Sequence, residues 1–207
     1  MASEGKGKGR AAQGDAPRLL LERLTPPETA AVLRRLLEAH PDLSTEAAGI
    51  ARSLLRQVDY LQVAAEIEDE IRALDYEDLN ARAGSHEWGY VEPSEAAGEI
   101  LEETLEPFLE DIKRHLDLGL EADALEICKG VVLGCYRLSE QGGDVLGWAP
   151  DFPGEAAGGA LEAWYRGAAG PKSRERGGRK RPSLPRDFLS MVPNWIPMIE
   201  RVEKEVK

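Results

Sequence analysis

The sequence has few of the residues on which catalytic sites are commonly built. Its 207 residues include two cysteines and three histidines, and aromatic residues make up 6% of the chain. Two cysteines do not form a disulfide framework, and three histidines leave few routes to histidine-based catalysis. The patterns GxxxxGK[ST], GxGxxG, Gly-x-Ser-x-Gly and His-Glu-x-x-His are absent. We therefore expect a protein that is not an enzyme and that needs no cofactor and no metal.

Long apolar runs are also missing. None reaches the roughly 18–20 residues of a membrane span, and the opening MASEGKGKGR lacks the apolar stretch of a secretory signal. We expect a soluble cytoplasmic protein without membrane contact, and its content of Ala, Gly, Arg and Leu suggests a bacterial source.

The net charge of −12 comes from 38 acidic and 26 basic residues. Such a surface repels nucleic acid unless the basic residues are segregated.

What the sequence does contain is amphipathic helical spacing. Strong helix formers dominate it, and no run of alternating β-branched residues predicts a strand. Apolar residues recur every three or four positions, as at Tyr60, Ala64 and Ile67. Pro107 predicts a kink or break in its helix, and Gly119 predicts a left-handed helix end. We expect an all-α fold of about eight helices, arranged as antiparallel hairpins in an irregular α-solenoid-like or bundle array.

Composition divides the chain into segments. The segments 82–93 and 141–153 are rich in turn residues and are predicted to be loops within the main domain. The predicted organisation is a disordered tail (1–17), a helical-repeat domain (18–168), a flexible basic linker (169–185) and a C-terminal docking helix (186–207).

Three stretches resemble the helical region that accompanies SWIM zinc fingers in bacterial proteins. They are LTPPETAAVLRRLLEAHPDL, VDYLQVAAEIEDEIRAL, and LEPFLEDIKRHLDLGLEADALEICKGVVLGCYRL followed by GGD, within residues 19–168. The stretch from Gly119 to Glu126 also resembles the start of the second helix of a tetratricopeptide-type repeat. The finger itself needs a Cys-x-Cys pair and a later Cys-x-His, and these motifs are absent. The resemblance therefore implies the helical scaffold alone.

Four small residues share one helix after Gly119. Cys128 and Cys135 are seven positions apart, which places their Cα atoms about 10 Å apart along a helix. That distance is too long for a disulfide, so we predict core packing in preference to a redox or metal pair. Gly130 and Gly134 form a GxxxG step, and we expect a neighbouring helix to pack closely there.

Two loops concentrate unusual side chains. The first carries His86, Glu87, Trp88 and Tyr90, and the second carries Trp148. Residues of these types on loops could bind a ligand or serve as acid and base. The alternative is that the aromatic residues fold back as hydrophobic anchors and that His86 is simply a polar residue. The sequence leaves both alternatives open.

Charged residues are clustered by sign. The glutamates within 95–126 lie mainly opposite the leucine stripe of their helices, which predicts an exposed acidic face that attracts a basic partner. The segment 172–186 is basic instead, and its phosphate-contacting candidates are Arg174, Arg176, Arg179, Lys180 and Arg181. Two alternatives for this segment are a solvated spacer and a contact with the acidic helices.

The last segment is strongly apolar. It contains Phe188, Trp195, Ile196 and Ile199, which either pack on their own domain or dock onto another chain. The leading hypothesis is a protein–protein interaction scaffold that binds a protein partner or associates with itself. The alternative is a nucleic-acid-associated protein that contacts phosphates through the segment 172–186.

Overall fold

The computed structural model of the protein describes most of the chain. The described ranges are 19–55, 58–87, 89–168 and 183–206. The predicted tail at 1–17 and the greater part of the predicted linker lie outside them. Helices make up nearly all of the regular structure in these ranges, which confirms the all-α class.

Contacts between residues divide the chain into two units. The boundary falls between Ser53 and Leu54. It therefore lies inside the predicted helical-repeat domain at 18–168, and residues 183–206 belong to the second unit. We describe each unit by itself.

The first unit contains two amphipathic helices. Helix α1 spans Pro26–Ala39, a short 3₁₀ turn covers Pro41–Leu43, and helix α2 covers Ser44–Leu55 and crosses the boundary near its end. Thr25 and Glu28 form a capping box at the start of α1, in which Oε2 of Glu28 accepts the backbone N–H and the hydroxyl of Thr25 at 2.9 and 2.8 Å. None of the described residues in this unit is buried.

The second unit holds the remaining elements. The described α-helices are α3 (Tyr60–Ala73), α4 (Tyr76–Arg82), α5 (Pro93–Asp117), α6 (Glu121–Gln141), α7 (Phe152–Ala168), α8 (Arg186–Leu189) and α9 (Ile196–Glu205). Strands β1 (Gly84–His86) and β2 (Gly89–Val91) lie between α4 and α5, and short 3₁₀ turns cover Leu146–Trp148 and Pro193–Trp195.

The two strands correct the prediction that the fold has no strand and that 82–93 is a plain loop. They pair antiparallel, with Gly84 opposite Val91 and His86 opposite Gly89. Strands of three residues are too short to show the alternation that identifies a strand in a sequence. Gly84 and Gly89 have φ angles of 107° and 144°, a backbone conformation that side-chain-bearing residues rarely adopt.

Helix α5 runs through Pro107 without a break. The proline removes one backbone hydrogen bond, but Leu105 and Ile112 on either side of it are both buried. Because tertiary packing supplies most of the stability of a helix in a protein, the buried face holds the helix together across the proline.

The turn between α5 and α6 matches the prediction made at Gly119. The glycine has a φ angle of 74°. Its N–H donates to the carbonyl of Leu116 at 3.0 Å, and the N–H of Leu120 donates to the carbonyl of His115 at 2.8 Å. This pair of bonds is a Schellman motif, which satisfies the last carbonyls of α5 and starts α6 two residues later.

Helix α6 is the centre of the second unit. It packs against α3, α5 and α7, and 12 of its 21 residues are buried. Cys128 and Cys135 are both free and buried, as predicted. Gly130 and Gly134 lie against α3, because a Cβ on Gly134 would come within 3.0 Å of the carbonyl oxygen of Ala64. The predicted close helix packing is therefore present.

The C-terminal segment packs against its own chain in this structure. Phe188, Val192, Ile199 and Val202 are all buried. The ring of Phe188 meets the edge of Tyr60 at 5.9 Å between centroids. This is the first of the two arrangements expected for the segment.

Candidate functional site

The residues of the predicted ligand loops do not form one site. Tyr90 is 62% exposed in β2, Trp148 is 46% exposed, and Glu87 is exposed in the turn of the hairpin. Trp88 lies outside the described residues. His86 lines a cleft of about 560 Å³, whose described lining residues include neither Tyr90 nor Trp148.

His86 has a structural contact at this cleft. Its Nε2 donates to the backbone carbonyl of Arg82 over 2.7 Å. Arg82 is the last residue of α4, so the imidazole satisfies one of the carbonyls left open at the end of that helix. The contact ties the hairpin to the end of α4.

The charged groups around the same cleft are also paired. Arg82 donates from both terminal nitrogens to the two carboxylate oxygens of Glu103, at 2.9 and 2.8 Å, and its Nη1 lies 3.8 Å from Glu99. Hydrogen bonding from Arg82 lowers the pKa of Glu103, and the same bonds raise the pKa of Arg82. Asp78 accepts the N–H of Asp75 at the start of α4. The bonds of Arg82 hold α4 against α5, and the bond of Asp78 closes the start of α4.

A second concavity lies between α5 and α7, and we call it the acidic groove. It has a volume of about 720 Å³. Its lining comprises six glutamates and a lysine, with an apolar part formed by leucines, an aromatic ring and small residues: Glu99, Glu102, Glu103, Glu106, Glu110, Glu155, Lys113, Leu105, Leu109, Phe152, Ala156 and Gly159.

The glutamates of α5 reach the groove because of their spacing. The positions 99, 102, 103, 106 and 110 follow one another at steps of three, one, three and four, which keeps them on one side of a helix. Leu105 and Leu109 lie beside them and point toward α7, where Phe152 and Ala156 complete the apolar part. The sequence predicted the acidic face of α5 but not its partner, because nothing local connects residues 99–113 with residues 152–159.

Most of this negative charge is uncompensated within the part of the chain that the structure describes. Among the described residues, no hydrogen-bond or ion-pair partner exists for the carboxylates of Glu102, Glu106, Glu110 or Glu155. Lys113 is the one cationic residue among the described lining residues. The groove therefore combines an apolar floor with exposed carboxylates at its rim.

The other predicted sites are placed as follows. Arg174, Arg176, Arg179, Lys180 and Arg181 lie outside the described residues, so the prediction of phosphate contacts stays a prediction. Of the residues proposed to bind a partner, Phe188 and Ile199 are buried in their own chain, whereas Trp195 and Ile196 are partly exposed.

Within the described ranges, no group of three or more His, Cys, Asp or Glu side chains is placed to hold a metal ion. In the same ranges, every helix is too short or too polar to span a bilayer.

No protein-family model matches the chain, and comparisons with curated proteins and with solved structures found no match either. The resemblance to the helical region that accompanies SWIM zinc fingers therefore stays a prediction.

Proposed function

We propose that the protein is a non-catalytic protein-binding scaffold whose acidic groove holds a basic, amphipathic segment of a partner. The observation that carries this proposal is one concavity between α5 and α7 that combines an apolar floor with four carboxylates, none of which has a partner among the described residues. Grooves of this kind suit a helix that presents an apolar face inward and cationic side chains at its edges.

Electrostatics favours a cationic occupant. Glu102, Glu106 and Glu110 occupy successive turns of α5 on the side of the groove, and like charges at such spacings repel one another. A cationic segment relieves this repulsion and is attracted from a distance, so complementary charge raises both the rate of association and the specificity. Phosphate groups, in contrast, are repelled by the same carboxylates.

The apolar floor adds a second requirement. Leu109 and Ala156 are only partly buried, and Leu105 and Phe152 lie beneath them. An occupant that covers this floor with leucine or phenylalanine gains roughly 25 cal/mol for each Å² of apolar surface removed from water. A partner with cationic residues alone lacks this gain and binds more weakly.

Peptide binding tests the proposal. The probe is a fluorescein-labelled helical peptide with leucines at positions i, i+3, i+4 and i+7 and lysines elsewhere, and a scrambled peptide of the same composition is the control. We expect the patterned peptide to bind at least roughly tenfold more tightly than the scrambled one. Equal affinity for the two peptides would refute a groove that requires an amphipathic partner.

Charge variants locate the binding site. The variant Glu102→Gln/Glu106→Gln/Glu110→Gln removes three charges from the groove. The variant Asp69→Asn/Glu70→Gln/Asp144→Asn removes three exposed charges elsewhere. We expect the first to weaken peptide binding by about tenfold or more and the second by less than about twofold in moderate salt. Equal losses would mean that net charge alone attracts the peptide.

A further inference from the structure

Helix α1 carries an apolar stripe that the described residues of its own unit leave exposed. Val32, Leu33 and Leu36 are 43%, 49% and 44% exposed, and they lie on one side of the helix. A helix of 14 residues is marginal by itself in water. A contiguous apolar stripe with polar flanks marks an interaction surface.

Opposite charges lie seven residues apart on one flank of this stripe. Seven residues are nearly two helical turns, so Glu28 and Arg35 share that flank, while Arg34 lies on the side away from the stripe. Among the described residues, Arg35 has no ion-pair partner. Glu28 uses Oε2 for its bonds to Thr25, and its Oε1 has no hydrogen-bond partner in the described part of the chain.

This charge pattern is complementary to itself in one orientation. In an antiparallel pair of identical helices related by a two-fold axis, each flank faces the same flank of the other helix. The two facing flanks run in opposite directions. Glu28 then lies opposite Arg35 of the second copy, and Arg35 lies opposite Glu28. In a parallel pair each flank would face the opposite flank of the other helix, so Glu28 and Arg35 would not meet.

We infer that α1 is a self-association surface and that its occupant is α1 of a second copy of this chain, bound antiparallel. The two-fold axis passes midway between Glu28 and Arg35, at the level of Val32. Val32, Leu33 and Leu36 from both copies form the apolar contact, and the two Glu28–Arg35 pairs close one edge of it. This inference rests on α1 alone and is independent of the peptide-binding groove.

Sedimentation of the full chain over a concentration series tests the inference. Wild type is expected to show a reversible dimer. Arg35→Glu places two glutamates opposite each other and should raise the dissociation constant of the dimer about tenfold. Arg34→Glu is the matched control, with the same change in charge one position away, and it should have less than about a threefold effect. Leu33→Ser/Leu36→Ser should abolish the dimer, with folding checked by circular dichroism.

Two results of sedimentation would overturn the inference. If the chain stays monomeric at every concentration, a second copy does not cover α1. Another part of the same chain would then be the occupant. A dimer that is unaffected by Arg35→Glu and by Leu33→Ser/Leu36→Ser would use a different surface.

Cysteine cross-linking tests the orientation. Cys128 and Cys135 are buried, so a cysteine introduced on α1 is the accessible thiol among the described residues. Val32→Cys places two thiols at the two-fold axis and should give a covalent dimer on mild oxidation. Ala39→Cys separates the two thiols by on the order of 20 Å in the antiparallel pair and should not cross-link. Efficient cross-linking at position 39, or none at position 32, would overturn the antiparallel arrangement.

Discussion

Gly130 of α6 touches Val63 of α3 so closely that no side chain fits between them. A Cβ atom built on Gly130 would lie 2.5 Å from the Cβ of Val63 and 3.1 Å from the carbonyl oxygen of Tyr60. Real Cβ atoms do not approach another atom to 2.5 Å, so the two helices can meet at this separation because residue 130 is glycine. The contact between α3 and α6 is the most extensive contact between two helices in the described second unit.

The first prediction concerns this contact. Gly130→Ala forces α3 and α6 apart and should lower the free energy of unfolding by about 1–3 kcal/mol. Gly98→Ala in α5 is the control, since a Cβ there meets nothing within 4 Å and alanine favours a helix by roughly 0.5–1 kcal/mol. Urea denaturation of both variants checks the prediction. A Gly130→Ala variant as stable as wild type would show that the helices are not in direct contact.

The second prediction concerns the C-terminal segment. Because Phe188 is buried against Tyr60, Phe188→Ala should lower the free energy of unfolding by about 3 kcal/mol. Asp187→Ala changes a neighbouring exposed residue and should cost less than about 0.5 kcal/mol. Thermal unfolding compares the two variants. If Phe188→Ala leaves stability unchanged, the segment does not pack on its own chain, and docking onto another chain becomes the better explanation.

The third prediction concerns Glu68, a buried carboxylate that joins two helices. It accepts hydrogen bonds from Arg72 at 2.7 Å and from Arg137 of α6 at 2.9 Å. Glu68→Ala removes both bonds and should cost about 1–3 kcal/mol of unfolding free energy, because the arginines are partly solvated and lose only part of their stabilisation. Glu66→Ala on the exposed side of α3 should cost less than about 0.5 kcal/mol. Similar losses for the two variants would contradict the bridging role of Glu68.

The fourth prediction concerns the two cysteines. Burial raises the pKa of Cys135 to about 12 and raises that of Cys128 as well. The thiolate is the reactive form, so both thiols should resist a thiol reagent at neutral pH in the folded protein. Both should react at once in denaturant. Fast reaction of either cysteine under native conditions would show that α6 is not in the core.

Much of the fold follows from local signals in the sequence. Asp59 marks a helix start, because its carboxylate accepts the N–H of Leu61. Gly119 marks a helix end, because its left-handed backbone closes the turn after α5. The three-residue strands of the hairpin did not follow, since they are too short to show the alternation of a strand. The unbroken helix at Pro107 did not follow either, since packing against distant residues decides it. The acidic face of α5 was predictable, because it follows from local spacing. The groove that it forms with Phe152 of α7 was not predictable, because it depends on a distant helix.

The central claim is that a basic amphipathic segment binds the acidic groove. Substitutions at two neighbouring glycines test this claim most directly. Gly159 lines the groove, whereas Gly158 does not, and a Cβ at either position meets no atom within 4 Å. Gly159→Arg therefore places a cation and a bulky side chain in the groove, while Gly158→Arg makes the same change in net charge beside it.

The measurement is the affinity of the labelled leucine–lysine peptide for these two variants and for wild type, by fluorescence anisotropy. We predict that Gly159→Arg weakens binding by at least roughly tenfold and that Gly158→Arg binds within about twofold of wild type. Equal affinities for the two variants, whether both weakened or both unchanged, would contradict a binding site in the groove between α5 and α7.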